Sequence, residues 1–155
     1  AEVIAKVLRE FQGVEHRIEL CNEIDGIRFV NDSKGTNPDA AIRAIEAMKR
    51  DIILIAGGYD KGASFDEFVN AFDGKVKALV LLGKTATKIK EAAEKAGFTN
   101  TVILKDMEAC VREAYRLAES GDVVLLSPAC ASWDMYTSFE QRGEHFKACV
   151  RELER

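Results

Sequence analysis

The sequence predicts an open α/β fold: a Rossmann-like, mostly parallel sheet with helices on both faces, preceded by a β-hairpin. Two observations carry this. From residue 52 onward, short runs of consecutive apolar residues alternate with amphipathic stretches of helical length, the pattern of strands buried on both faces and joined by helical crossovers. Before that, residues 17–30 place apolar positions on either side of an Asp-Gly pair, the mark of a tight hairpin. A chain of 155 residues suits one compact domain, and 47% apolar with 31% charged residues is far from the composition of disordered chains.

The elements follow in order. Residues 1–11 set Val3, Ile4, Val7, Leu8 and Phe11 at three- and four-residue spacings, an amphipathic helix that Gly13 ends. No Ser, Thr, Asp or Asn precedes it to cap its start, so residues 1–12 read as the tail of a preceding domain and the chain as a piece of a longer one. Strands over 17–24 and 27–30 form the hairpin, with Asp25-Gly26 meeting the turn's demand for positive φ. Asn37 caps a helix whose first position, Pro38, loses no hydrogen bond by lacking an N–H; that helix runs to about residue 49. The alternation then gives strands over 52–56, 78–82, 101–104 and 123–126, and helices over 65–72, 85–96, 107–118 and 139–153.

Several function classes are excluded at this stage. Twenty-two Lys and Arg against 26 Asp and Glu leave a net charge of −4, which argues against a whole-domain footprint for nucleic acid or an anionic membrane. The apolar run at 52–56 is far short of the ~20 residues that span a bilayer, so a soluble, cytoplasmic protein is expected. Cys21, Cys110, Cys130 and Cys149 form no Cys-x-x-Cys pair, which disfavours zinc and leaves free thiols in a reducing compartment.

In sheets of this kind ligands bind beyond the carboxyl ends of the strands, and three post-strand segments are unusual. Asn31-Asp32-Ser33-Lys34-Gly35-Thr36-Asn37 packs an acid, hydroxyls, an ammonium and a glycine ahead of a helix N-terminus, where N–H groups favour an anion. Lys34 adds a mobile positive charge, and Asp32 could accept from ribose hydroxyls or hold a solvated metal; the plainer alternative is that Asp32, Ser33 and Asn37 turn the chain and cap the helix. Gly57-Gly58-Tyr59-Asp60-Lys61-Gly62 offers paired glycines that let a ligand approach the backbone and a lysine for an anionic group, or else a tight turn with a solvated lysine. It is neither a Walker loop nor a Gly-x-Gly-x-x-Gly turn. In Ser127-Pro128-Ala129-Cys130-Ala131-Ser132-Trp133-Asp134 the Ser132 hydroxyl could bond a carboxylate, while Cys130, among small apolar neighbours, reads as a packed thiol rather than a nucleophile. His16, beside Arg17, is placed for a phosphate contact, and His145 reads as a partly exposed helical residue. The pieces suit charge neutralisation and positioning around phosphate and carboxylate groups, not covalent catalysis.

Four strings, Gly13-Val14-Glu15-His16-Arg17, residues 31–37, residues 127–132 and Ser138-Phe139-Glu140-Gln141-Arg142-Gly143, fall in order within residues 13–155. Together they resemble the C-terminal domain of the Mur ligases, and within that family the D-glutamate-adding branch. The resemblance implies a three-domain enzyme of bacterial peptidoglycan synthesis in which ATP phosphorylates the L-alanine carboxylate of UDP-N-acetylmuramoyl-L-alanine and the amine of D-glutamate attacks the acyl phosphate. It assigns Arg17 and Lys34 to the ATP phosphates, with Lys34 catalytic, Asp32 to the ribose and His16 to the same nucleotide edge. It assigns Thr36, Lys61, Ser132 and Phe139 to D-glutamate, and no residue here to a metal. ATP and Mg2+ would be bound mainly by a central domain that this chain lacks, as it lacks the N-terminal domain, so the chain alone is expected to be inactive. Two other readings stay open: a domain of a folylpolyglutamate synthetase-like amide ligase, and a non-enzymatic Rossmann-like binding module. A phosphate-binding loop encoded upstream would separate the ligases from the module.

Overall fold

The computed structural model describes residues 14–154. The expected helix over 1–11 and the domain boundary after residue 12 lie outside the described residues. Within them the chain runs β1 (Glu19–Ile24), β2 (Ile27–Asn31), α1 (Pro38–Ala47), β3 (Ile52–Ala56), α2 (Asp66–Asn70), β4 (Val76–Leu81), α3 (Ala86–Lys95), β5 (Thr101–Ile103), α4 (Met107–Leu117), β6 (Val123–Leu126) and α5 (Phe139–Glu152). The strands form one sheet in the order β1-β2-β6-β3-β4-β5. β1 is antiparallel to β2, and the other neighbours are parallel, so the α/β expectation and its leading hairpin both hold.

Local chemistry sets the boundaries. Asp25 (φ 54°) and Gly26 (φ 78°) make the hairpin turn, as a two-residue connection with both φ positive requires. The Asn37 side chain accepts from the Ala40 N–H ahead of Pro38, Asp106 accepts from Ala109 at the start of α4, and Ser138 accepts from Gln141 at the start of α5. α2 departs from expectation: it has five residues where the pattern predicted a helix over 65–72. Phe65 supplies no side-chain cap, and beyond Phe72 the backbone reverses at Asp73 (φ 39°) and Gly74 (φ 71°). The segment is held by ring packing instead, with Phe65, Phe68, Phe72 and Phe98 in edge-on contacts at 6.2, 5.2 and 5.1 Å between successive centroids.

Every residue of β3 is buried, because alternate residues feed opposite layers. Ile52, Leu54 and Ala56 join the side chains of α1, α2 and α3 on one face, while Ile53 and Ile55 join those of α4 and α5 on the other. Among the described residues no helix is long and apolar enough to cross a membrane. The strand order has the main functional consequence: β6, last in sequence, inserts between β2 and β3. The segments that follow these three strands therefore emerge side by side at one edge of the sheet.

Candidate functional site

Backbone hydrogen bonds tie the three segments together. The Asp32 N–H donates to the Leu126 carbonyl (2.7 Å), Ala129 N–H to Gly35 (2.9 Å) and Gly57 N–H to Pro128 (3.0 Å). Tyr59 and Ala131 exchange a pair of N–H···O bonds at 2.8 and 3.0 Å. Ala129 takes a left-handed conformation (φ 60°) to make its bond, local strain that the surrounding structure must offset. The Gly57-Gly58 pair (φ 119° and 144°) serves the same joint: a Cβ would stand 1.9 Å from the Leu82 carbonyl oxygen at Gly57 and 2.4 Å from that of Ala131 at Gly58. The sequence left these glycines either to admit a ligand to the backbone or to make a tight turn; in the structure the space of their missing side chains is taken by the chain's own neighbouring backbone.

In the first segment Asp32 and Ser33 are buried and Lys34 is exposed, as is Arg17 on the preceding turn. The Asp32 carboxylate accepts from the Ile18 N–H (3.1 Å) and the Ser127 hydroxyl (2.7 Å). Burial pushes its carboxyl up to about 6, against the opposing pull of those two hydrogen bonds and of Arg17 and Arg142. The Lys34 N–H donates to the His16 carbonyl (2.9 Å), so Arg17 and Lys34 stand on two turns joined at that bond.

His16 itself is buried, and its ring lies against α5, where a Cβ on Gly143 would fall 2.2 Å from Nδ1. The Asn31 amide sits 2.8 Å from Nδ1. Its orientation is fixed, because Oδ1 accepts from Ser33 N–H and Nδ2 also donates to Glu19. Nδ1 is therefore the acceptor, and the ring hydrogen sits on Nε2, which faces Glu15 (3.0 Å) and Glu144 (3.6 Å). These three side chains are the group among the described residues whose ligand atoms come within 4.8 Å of one another. An imidazole N–H turned toward the carboxylates does not fit a cation there, least of all Mg2+, which takes oxygen ligands.

Across the edge, Lys61 is exposed and Ser132 is buried, yet the Ser132 hydroxyl makes no hydrogen bond to any described residue. Nor does Ser132 cap a helix, since Ser138 takes that role for α5. Thr36 is half-buried and donates its N–H to the Lys34 carbonyl (2.8 Å). Phe139 is half-buried at the first position of α5, with its carbonyl accepting from the Ser33 hydroxyl (2.6 Å) and its ring edge-on to His16. Burial raises the Cys130 thiol to about 12, in keeping with the packed, unreactive reading. His145 is exposed, with Nδ1 2.7 Å from the Tyr136 hydroxyl.

One residue without a role in the sequence reading proves central. Arg142, 3% exposed, donates from Nε to the Ser33 hydroxyl (2.9 Å), from Nη2 to the Ser33 carbonyl (2.6 Å) and from Nη1 to the Cys130 carbonyl (2.9 Å). It thereby clamps the first segment to the third, at an expense in desolvation that lowers its pKa to about 10. The signal was present in the sequence: Arg142 lies on the buried stripe of α5 with Phe146, Cys149 and Val150, and a charge on an apolar stripe calls for a partner inside.

The geometry can be set beside known proteins. Residues 16–130 match the family model described as Mur ligase, glutamate ligase domain. The chain is 59% identical over its whole length to a UDP-N-acetylmuramoylalanine--D-glutamate ligase of Thermoanaerobacter sp. (strain X514). It is 56% identical over 98% of its length to the protein of that name from Clostridioides difficile (strain 630). It spans about a third of the length of these relatives, 35% and 34%. Among solved structures, the UDP-N-acetylmuramate-alanine ligase of Thermotoga maritima superposes with a TM-score of 0.65 at 15% identity, over 96% of this chain and 33% of that one. A bifunctional folylpolyglutamate synthase/dihydrofolate synthase of Yersinia pestis gives 0.61 at 15% identity, over 94% and 32%. At such identities the two structures share the fold with this chain.

Proposed function

Since the chain belongs to the Mur ligase family, matching its glutamate ligase domain, we propose that residues 13–155 are the C-terminal domain of the ATP-dependent ligase that joins D-glutamate to UDP-N-acetylmuramoyl-L-alanine. Identity of 59% and 56% to D-glutamate ligases supports this branch. The observation that carries the reading is the insertion of β6 between β2 and β3. It brings Lys34, Lys61 and Ser132, more than 90 residues apart at the extremes, onto three hydrogen-bonded segments at one sheet edge. Among the described residues Lys34 and Lys61 have no carboxylate partner and the Ser132 hydroxyl has no hydrogen bond, and such groups on adjoining segments suit ligands that carry phosphate and carboxylate groups.

In this reading residues 1–12 are the tail of a central domain that supplies the ATP phosphate loop and holds Mg2+. The terminal L-alanine carboxylate takes the γ-phosphoryl group of ATP, releasing ADP. The D-glutamate amine then attacks the acyl carbon, the C–O bond to phosphate breaks, and the amine's proton leaves as the amide forms. Arg17 and Lys34 neutralise the phosphates, and Lys34 follows the charge that builds during transfer. Asp32 accepts from the ribose hydroxyls through lone pairs not used by Ile18 and Ser127, and His16 braces the nucleotide edge from beneath. Lys61 and Ser132 hold the D-glutamate carboxylates, with Thr36 and Phe139 completing the pocket. The reaction belongs in the cytoplasm, where ATP is available.

The test is ATP-dependent phosphate release by the full-length protein, which should require both D-glutamate and UDP-N-acetylmuramoyl-L-alanine. Release supported instead by L-glutamate and a folate acceptor would move the chain to the folylpolyglutamate branch. No release with any acceptor would leave a binding module.

A further inference from the structure

Lys61 stands out among the lysines around the site by what it touches. Lys88, nearby, is neutralised by Asp60 Oδ2 at 2.5 Å and held by the Ala63 carbonyl at 2.7 Å. Lys61 has no carboxylate within ion-pair distance among the described residues; its Nζ lies 4.8 Å from the centroid of the Trp133 ring. The acids next to the two residues in sequence are committed elsewhere. Asp60 accepts from Lys88 and from the Gly62 and Ala63 N–H groups, and Asp134 accepts from the Lys84 N–H. The indole is itself placed from both sides: it packs on the Tyr59 ring at 5.6 Å, and its segment is fixed to that of Tyr59 by the Tyr59–Ala131 pair of hydrogen bonds. Yet Trp133 is 62% exposed, which burial of an apolar ring does not explain.

We propose that Trp133 is a positioning residue for Lys61: its π-face holds the ammonium at the edge of the site while leaving the charge and its N–H donors free for a carboxylate of the amino-acid substrate. An aromatic face attracts a cation through the ring quadrupole and accepts little of its hydrogen-bonding capacity. A carboxylate in the same place would orient Lys61 but cancel the charge that the substrate needs. A solvated lysine with no partner would have to be ordered anew at each binding event, and binding affinity would bear that loss. The inference rests on the assignment of Lys61 to D-glutamate.

The contact is read first in this chain, where Trp133 is the only tryptophan: Lys61→Met should change its fluorescence emission. The role is read in the full-length ligase. Trp133→Leu should raise the KM for D-glutamate about two- to fivefold, the factor that an exposed cation–π contact supports, with kcat and the KM for ATP unchanged. Trp133→Phe should recover part of the loss, and Trp133→Leu should add nothing in a Lys61→Ala background. An unchanged emission in Lys61→Met overturns the proposal. So does a Trp133→Leu variant whose D-glutamate KM stays normal, or rises equally in the Lys61→Ala background, while Lys61→Ala alone raises it; in that case the D-glutamate assignment survives. If Lys61→Ala leaves the D-glutamate KM unchanged, the assignment itself falls, and the proposal with it.

Discussion

Asp32→Asn should stabilise the fold while weakening nucleotide binding. The Asp32 carboxyl is 4% exposed, and burial lifts it from an ordinary 3.8 to about 6. At about 1.4 kcal/mol per unit, that displacement opposes folding by roughly 3 kcal/mol once the group is ionised in both states. The sign follows from which state holds the proton. Because the folded pKa lies above the unfolded one, the folded protein binds the proton more tightly between pH 4 and pH 6. No penalty exists below about pH 4; it builds as pH rises and is complete above about pH 7. Asparagine removes the charge but keeps an Oδ1 acceptor for the Ile18 N–H and can offer Nδ2 to the Ser127 hydroxyl, so both hydrogen bonds of the native side chain have a replacement. Part of the gain is lost with the attraction to Arg17 and Arg142, which leaves about 1–3 kcal/mol in favour of the variant at pH 7.5, or roughly 2–12 °C in Tm for a chain of this size. Urea unfolding followed by circular dichroism from pH 4 to pH 8 should show two stability curves that coincide near pH 4 and diverge above it. In the full-length ligase the same substitution should raise the KM for ATP. A variant less stable than the parent at pH 7.5, or a difference independent of pH, would refute the reasoning.

Lys34→Ala in the full-length ligase should lower kcat by roughly 10²- to 10³-fold, as loss of one charge-stabilising donor does; single-turnover measurement of acyl phosphate formation checks this, and an unchanged rate there removes Lys34 from the chemistry. Ser132→Ala should raise the KM for D-glutamate about 10- to 100-fold, the value of a hydrogen bond to a charged group, with the ATP KM near normal. A lower Tm with an unchanged ratio of the two KM values would instead make Ser132 a structural residue. Arg142→Met strands the Ser33 and Cys130 carbonyls, each losing about 1–3 kcal/mol, so scanning calorimetry should show Tm falling by roughly 5–15 °C, with Arg142→Lys restoring only part; a fall under 2 °C would show that the clamp contributes little.

Most of the element map was legible because burial on two faces leaves a plain signature. Residues 52–56 have no polar position to spare, and Asn37 sits ahead of Pro38 where a side-chain acceptor at a helix start is most useful; the structure adds Asp106 and Ser138 as caps that the sequence analysis did not name. α2 was overestimated because its apolar spacing belongs to a ladder of phenylalanines packed edge-on, a contact that helical periodicity does not distinguish from a longer helix. The three segments were legible as unusual, but their adjacency was not. Nothing local in residues 123–126 records that β6 pairs with β2 and β3. The choice between the two readings of Gly57-Gly58 was closed to the sequence for the same reason: the backbone that fills their missing side chains comes from residues 82 and 131. His16 was placed by its neighbour Arg17, whereas its burial depends on Gly143, far along the chain.

The division of charge within the site follows from these long-range contacts. Its floor is built of buried polar groups whose partners are distant in sequence: Ser33 bonds Phe139 and Arg142, 106 and 109 residues away, and Asp32 bonds Ser127, 95 residues away. Such contacts exist only when the whole sheet is formed, so the floor and the fold belong to one cooperative unit. Its cations Arg17, Lys34 and Lys61 stand exposed above that floor. In water their attraction for phosphate or carboxylate is screened. A ligand that is itself covered from the other side would meet the same charges in a medium of lower dielectric, where each is worth several times more. A hydrogen-bonded polar floor, with cations at its rim that no carboxylate among the described residues pairs, is thus suited to strengthen its grip at the moment another surface closes over it. A domain that had already paired those cations internally would gain little from closure.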